Sequence, residues 1–371
     1  MARSLLFLFM LIFGVTVHIV AEEIVIDFAH PKFALLDEEG KNLLSEYAKA
    51  YPKIKEIYEN MQMNVTVKTV NNHSEESLQT LRKIGESQGL NEADLREFIE
   101  RSLSPPETLY EIRRRVSDGS NEYSRIDKMV NHPVTSSIRA KLPPELAKQD
   151  FIQETEMTLF TPTMGYQLSK NDPRKQHFSL NVRRDFRNPN VGGITVEVLY
   201  FDRAPFFGSS GYISLEETLF QSTPLNDEKS YPVVEYVQQK EINGEQIVEI
   251  KVISSMHLDS NPDNVHGEIR LSRDSWVAKE TFVRSQVVSP GKYFGEIDWV
   301  RTSCTYDGVI DGVPLMKTYR RSSGDYDKET QEEKQNRQIH CVVTKIVPGP
   351  PDLSEFDVAQ FLPPNTKIGD N

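Results

Sequence analysis

The segment "TYDGVIDGVPLMKTYRR", residues 305–321, carries two Asp-Gly pairs and is the stretch that most resembles a chemical site. A Ca²⁺ loop of the helix–loop–helix type needs acidic residues at alternate positions, a glutamate about a dozen residues after the first, and flanking helices. Asp307 and Asp311 are instead four residues apart, and alternating, strand-like residues lie on both sides of them. Asp-Gly between such segments is typical of a β-hairpin turn. The sequence therefore predicts a hairpin here.

Two other segments contain residue types that are found in active sites. Two imidazoles and two carboxylates lie in "HLDSNPDNVH": His257, Asp259, Asp263 and His266. Their spacing matches no metal motif that geometry explains, and Ser-Asn-Pro-Asp at the centre is typical of a turn. "GSSG", residues 208–211, is one residue short of a Gly-x-Ser-x-Gly nucleophile elbow and suits a flexible lead into a short helix at 214–222. We assign no catalytic residue, no metal ligand and no cofactor.

The two cysteines, Cys304 and Cys341, lie in predicted strands, where a small apolar side chain is the ordinary role. If residues 305–321 form a tight hairpin, Cys304 pairs with a residue near Met316 or Lys317. Cys341, on the strand that follows, then faces the same region from its other edge. With one strand between them, the α-carbons of the two cysteines would be about 10 Å apart, whereas a disulfide needs α-carbons within about 7 Å. We therefore expect two thiols.

Five basic residues crowd one predicted hairpin: Arg113, Arg114, Arg115, Arg125 and Lys128. Side chains alternate along a strand, so Arg114 should face away from its two neighbours. The others form either a patch that attracts an anionic ligand or partner, or a solvated face.

The chain begins "MARSLLFLFMLIFGVTVHIVAEE", with one Arg, an apolar run and the small residue Ala21 before the first acid, Glu22. This order is that of a secretory signal peptide, and the absence of a basic stop-transfer flank disfavours a membrane anchor. We predict cleavage of residues 1–21 after Ala21, no later transmembrane segment, and a periplasmic or secreted protein. A net charge of −12 without a basic tract argues against nucleic-acid binding.

The elements that must position any site begin with a helix over residues 43–61, whose apolar residues recur at helical spacing and which Pro52 should kink or split. Met63 and Val65 then belong to an alternating strand in "MQMNVTVKTV", residues 61–70. Residues 74–103 return to helical patterns broken at Gly89, and predict a helical hairpin inserted between two strands.

The rest of the chain alternates as antiparallel strands do, which predicts one mainly β domain over 22–371, of the α+β class. The predicted strands are 108–116, 122–130, 152–160, 164–169, 177–184, 232–240, 246–256, 265–272, 277–288, 294–306, 313–322 and 336–347.

The C-terminal "EFDVAQFLPPNTKIGDN" resembles the ending of the LolA-type family of periplasmic lipoprotein carriers, with an aromatic strand, a Pro-Pro pair and a closing Asp. "VIDGVPLMKTYRR" is similar to the Asp-Gly-aliphatic-aliphatic-Pro hairpin of broader relatives. This resemblance implies a strongly curved, half-open antiparallel sheet whose concave apolar face is covered by helices and, in the carriers, holds acyl chains. The chain is longer than the carriers and carries the 74–103 insertion, so no ligand-contacting residue is transferred.

Three functions follow as expectations. The first is an exported binding protein whose concave face takes an apolar ligand, a lipid or a lipidated partner. The second is an envelope interaction or sensing protein with a fully packed sheet, whose 74–103 hairpin docks a partner. The third is a hydrolase, for which no nucleophile–base pair appears. The residues expected to line or cover an apolar cavity are Met63, Val65, Phe178, Leu180, Phe206, Phe207, Tyr212, Ile213, Leu219 and Phe220.

Overall fold

The protein is described by a computed structural model that covers residues 24–72, 75–117, 121–133, 144, 148, 151–161, 165–170, 179–183, 219–220, 232–254, 265–286, 297–327 and 329–360. The predicted signal peptide and its cleavage site lie outside these ranges. Within them the chain forms three α-helices: α1 (Glu38–Glu59), α2 (Glu75–Ser87) and α3 (Glu92–Leu103). It also forms thirteen strands: β1 (Met61–Asn71), β2 (Thr108–Ser117), β3 (Asn121–Pro133), β4 (Phe151–Phe160), β5 (Gly165–Lys170), β6 (Ser179–Arg183), β7 (Pro232–Ile242), β8 (Glu245–Ser254), β9 (Val265–Ser272), β10 (Ala278–Gln286), β11 (Ile297–Ile310), β12 (Val313–Tyr326) and β13 (Glu333–Pro348).

All thirteen strands belong to one antiparallel sheet, in the order β6-β5-β4-β3-β2-β1-β13-β12-β11-β10-β9-β8-β7. The sheet consists of two meanders, β1 to β6 and β7 to β13, joined where β1 pairs with β13. Its strand order does not close into a ring. The prediction of a mainly β, α+β protein with an antiparallel sheet is confirmed, and every predicted strand corresponds to one of these elements.

The segment of the two Asp-Gly pairs, residues 305–321, is a hairpin, as predicted. Ile310 pairs with Val313, and the turn is made by Asp311 and Gly312, both at positive φ (50° and 80°), as a two-residue hairpin turn requires. The first Asp-Gly pair has another role. Asp307 and Gly308 lie opposite a single β12 residue, because Tyr306 pairs with Met316 and Val309 with Pro314, so they form a β-bulge.

Helix α1 lies on one face of the sheet. Asp37 caps it by accepting a hydrogen bond from the backbone N–H of Gly40 at 2.8 Å, and Glu38 and Glu39 complement the positive end of the helix dipole. The predicted split at Pro52 does not occur, because α1 is a single helix with Pro52 inside it. The helix contacts β7, β12 and β2 and buries one continuous side against them.

Helices α2 and α3 lie between β1 and β2 in the chain and contact each other. Gly85 of α2 packs against Leu95 of α3 so closely that a β-carbon on it would lie 2.4 Å from the leucine side chain. Asn91 caps α3. The side chain of Asn71 at the end of β1 donates a hydrogen bond to the carbonyl of Ser102. Within the described ranges, no helix is both long and apolar enough to span a bilayer.

Candidate functional site

One face of the sheet is apolar, and α1 packs on it with contacts to β2, β12 and β7. The side chains that α1 buries there are Leu43, Leu44, Tyr47, Ala48, Tyr51, Ile54 and Tyr58. They pack in one cluster with inward residues of both meanders, for example Ile112 of β2 and Ile250 of β8. The alternation along the strands accounts for this face, since residues two apart point to the same side. Together with α1, this face forms the hydrophobic core of the described part of the chain.

An aromatic layer forms the middle of this face. Phe220 stacks on Tyr47, with ring centroids 5.8 Å apart, and its ring lies 4.7 Å from that of Tyr51. The ring of Trp276 lies 6.0 Å from that of Tyr47. Adjacent rings at such separations contribute about 0.5–1.5 kcal/mol per pair beyond the area they bury.

Trp276 has an unusual backbone. Its φ is 59°, in the left-handed region that a bulky side chain rarely adopts. The surrounding contacts hold it there: the guanidinium of Arg273 lies 4.7 Å over the Trp276 ring and also pairs with Glu46 of α1 at 2.5 Å. The turn between β9 and β10 is thereby tied to the first half of α1.

Tyr58 ties the last turn of α1 to the bulged hairpin. Its hydroxyl donates to the carbonyl of Pro314 at 2.8 Å and accepts from the backbone N–H of Met316 at 2.9 Å. The bulge at Asp307 and Gly308 interrupts the β11–β12 ladder at this point, and the tyrosine hydroxyl takes over two backbone groups there. Burial raises the pKa of Tyr58 well above its ordinary value, so the hydroxyl remains a donor.

The ten residues predicted to line or cover a cavity do not all lie in one place. Met63, Val65, Leu219 and Phe220 come together in the α1 cluster, where Met63 has no exposed surface. Leu180 is on the edge strand β6, paired with Leu168 and five positions from β1 in the sheet order. The other five, Phe178, Phe206, Phe207, Tyr212 and Ile213, lie outside the described residues, as does most of the predicted helix at 214–222.

The opposite face carries a network of ion pairs. Glu249 of β8, whose side chain is 4% exposed, accepts hydrogen bonds from Tyr236, Lys240 and Arg270. Burial alone would raise the pKa of Glu249, but these three donors outweigh burial and lower it to about 2. Arg270 also binds Glu280 of β10 at 2.8 Å. The glutamate is therefore ionised throughout the ordinary pH range.

Three arginines of the predicted basic patch bind the C-terminal segment, residues 351–356. Arg113 pairs with Asp127 and with the carboxylate of Glu355 at 2.7 Å, while Arg115 and Arg125 donate to the backbone carbonyls of Pro351 and Glu355. The sequence left two alternatives for this patch, an anion-attracting surface and a solvated face. Neither describes these three arginines, because their guanidinium groups bind carboxylates and carbonyls of the chain itself. Phe356 is buried in the same place and packs on Tyr123 at 5.6 Å.

Arg114 points to the other side of the sheet and is 2% exposed, as the strand alternation predicts. Lys128 pairs with Glu156 of β4 at 3.5 Å.

The two cysteines lie where the hairpin argument requires, on either side of β12. Cys304 and Cys341 both pair with Tyr319, from opposite edges, and no disulfide joins them. The predicted partner of Cys304 was a residue near Met316 or Lys317, and the observed partner, Tyr319, lies two residues beyond Lys317. The turn is made by the second Asp-Gly pair, and pairing outward from it reaches Tyr319. Burial raises the pKa of the Cys304 thiol to about 12, which makes it a poor nucleophile.

No metal site emerges from the described residues, which bring no three His, Cys, Asp or Glu side chains together for one. Of the candidate segment 257–266 only the end falls within them: His266 lies in β9, opposite Arg284 of β10. The "GSSG" segment is also outside the described ranges. No protein-family model matches the chain, and neither the curated proteins nor the solved structures contain a significant match.

Sequence reasoning missed three features that organise the site. Tyr58 was recognised only as an apolar position of a helix, because nothing in its spacing reports the bulge that its hydroxyl meets. Trp276 lies in a short connection without a turn signature. Glu249 alternates in its strand like any solvent-facing acid, and only the strand order brings Lys240 and Arg270 to it.

Proposed function

We propose that the protein is an exported binding protein of the LolA-like kind, in which the apolar sheet face takes an apolar ligand, such as a lipid or the acyl group of a lipidated partner. The observation that carries the proposal is the aromatic layer of Tyr47, Tyr51, Phe220 and Trp276, which lies between a broad apolar sheet face and one helix. A ligand with an acyl chain would take the place of α1 or of the Leu219–Phe220 segment.

The proposed architecture is a strongly curved half-barrel. Helix α1 has 22 residues and is about 33 Å long. It contacts both β2 and β7, which are eight positions apart in the sheet order, or about 38 Å in a flat sheet. A sheet that bends around α1 brings both strands within reach more readily than a flat one. Such a concave face suits an elongated apolar ligand.

Polar attachments hold α1 to the sheet at both of its halves. At the C-terminal end they include the hydroxyl of Tyr58 and the cap residue Asn60, whose side chain accepts a hydrogen bond from the backbone N–H of Val116 of β2. In the first half, Glu46 pairs with Arg273. The apolar side chains that α1 buries between these points make contacts that an acyl chain can replace at a similar free energy per area.

The test is native mass spectrometry and lipid extraction of protein purified from its own host. The proposal expects an apolar molecule to co-purify, and a Tyr47→Ala, Phe220→Ala double variant to lose it while keeping the sheet signal in circular dichroism. Protein that is free of ligand, and that takes up no fatty acid or phospholipid when these are added, would count against a carrier. N-terminal sequencing of the same preparation tests export: the proposal expects Glu22 as the first residue and recovery from the periplasm or medium.

The second candidate is an envelope interaction or sensing protein with a packed sheet. It is favoured by the complete burial of Leu44, Tyr47, Tyr51 and Met63 in the hydrophobic core. In that case α2 and α3 dock a partner. Partner capture that survives the Tyr47→Ala, Phe220→Ala changes and is lost when residues 75–103 are replaced would favour this candidate over the carrier.

A further inference from the structure

A small cleft opens on the polar face of the sheet, on the side opposite to α1. It has a volume of about 160 Å³ and is lined by Glu268, Arg270, Glu280, Phe282 and Arg301. Glu268 and Arg270 alternate along β9 with Ile269 and Leu271, which belong to the apolar core, so the cleft and the apolar face are on different sides. Its occupant is therefore independent of the proposed apolar ligand.

Phe282 is at the centre of the cleft. In the sheet register it lies directly opposite Glu268 on one side and Arg301 on the other. Residues paired across antiparallel strands project from the same face of the sheet. The three side chains thus form a row of carboxylate, aromatic ring and guanidinium. The guanidinium of Arg301 lies 5.0 Å from the centre of the Phe282 ring, which holds it in place.

The charges in the cleft are unequally paired. Arg270 is saturated, with Glu280 at 2.8 Å and Glu249 at 3.1 Å. Among the described residues, Glu268 forms a single and distant ion-pair contact, with Arg270 at 3.8 Å. The lysine opposite Glu268 in the register, Lys251, turns instead to Glu235 at 2.8 Å. Glu268 therefore keeps acceptor capacity for a cation.

Arg301 is the loosely paired cation. Its nearest carboxylates are those of Glu280 at 3.7 Å and Glu333 at 3.3 Å, both longer than the 2.7–2.9 Å of a charge-assisted hydrogen bond. The side chain is 45% exposed. A planar guanidinium that stacks on an aromatic ring is a suitable receptor for a carboxylate or another oxyanion.

We propose that this cleft binds a small zwitterion, with its ammonium group at Glu268, its carboxylate at Arg301 and its carbon chain on the ring of Phe282. The two end groups belong to strands two positions apart, about 10 Å between backbones, and the side chains converge on the space between them. An engineered apolar cavity of about 150 Å³ holds benzene, so a ligand of roughly six heavy atoms fits the cleft. A zwitterion also matches the two opposite charges of the cleft better than a singly charged ligand does. A single ion would leave the charge of either Glu268 or Arg301 uncompensated.

Ligand-observed NMR and calorimetric titration of the mature protein test this with three zwitterions of increasing charge separation: alanine, β-alanine and 4-aminobutanoate. Butanoate and butylamine each carry one of the two charges of 4-aminobutanoate and serve as matched controls. We expect at least one zwitterion to bind with a dissociation constant of about 1 mM or below, and at least about tenfold more tightly than either single-charge control. No binding by any of the three, or equal binding by butanoate or butylamine, overturns the proposal.

Variants locate the site. Glu268→Gln should abolish the advantage of the zwitterion over butanoate, and Arg301→Gln its advantage over butylamine, each by about tenfold. The matched controls are Glu245→Gln, at an ion pair with Lys279 elsewhere in the sheet, and Arg320→Gln, an exposed arginine on β12 outside the cleft. Both should bind as the wild type does. Undiminished binding by both cleft variants, with circular dichroism unchanged, would place the ligand elsewhere and refute the assignment.

Discussion

Removal of the Tyr58 hydroxyl is the sharpest test of how α1 is attached to the sheet. In Tyr58→Phe the ring stays and the core keeps its volume, but the carbonyl of Pro314 loses a donor and the buried N–H of Met316 loses its acceptor. An unsatisfied buried backbone group costs about 1–3 kcal/mol, and the carbonyl, which has a second lone pair, costs less. We therefore expect the free energy of unfolding to fall by about 2–3 kcal/mol.

Equilibrium unfolding in urea, followed by far-ultraviolet circular dichroism and by tryptophan fluorescence, measures this change. The midpoint should fall while the slope stays constant, since the surface exposed on unfolding is the same. Tyr123→Phe is the control, because Tyr123 contacts Phe356 through its ring, and it should stay within about 0.5 kcal/mol of wild type. A Tyr58→Phe variant as stable as Tyr123→Phe would refute the reasoning that the hydroxyl completes the bulged ladder.

Three further results are expected. Lowering the pH from 4.5, the ordinary glutamate pKa, toward 2 should destabilise the wild type more than Glu249→Gln. Because the pKa of Glu249 is lowered in the folded protein, its contribution to the free energy of unfolding is complete above pH 4.5 and is lost as the pH falls through about 2. Parallel curves of stability against pH in urea unfolding would contradict this. Thiol titration of unfolded, unreduced protein should find both Cys304 and Cys341 reactive, and a mass two protons light with no reactive thiol would mean that the strand order is wrong. Replacement of residues 75–103 by a short Gly-Ser loop should preserve the sheet signal in circular dichroism, because loop-closure cost grows slowly with length; unfolding would show that α2 and α3 belong to the core.

Local patterns predicted most of the elements, because each depends on side-chain period and turn chemistry alone. The helix over 43–61 and the strand at 61–70 follow from periods of 3.6 and 2, and the turn at Asp311 and Gly312 follows from the residue types that tolerate positive φ. Contacts between distant elements were not predictable in this way. The donors that bind Glu249 are determined by the strand order, and the arginine that pairs with Glu355 is determined by the position of the C-terminal segment. No period in the sequence encodes the strand order or that position.

The two Asp-Gly pairs connect the local and the distant levels. The second pair makes the turn, which places Cys304 and Cys341 on opposite sides of Tyr319. The first pair makes the bulge, which frees backbone groups of β12 for the hydroxyl of Tyr58 and so ties α1 over the apolar face. At the same end of α1, the cap residue Asn60 accepts a hydrogen bond from the backbone N–H of Val116 of β2. The segment that resembles a metal loop therefore acts structurally, as one anchor of α1 on the sheet.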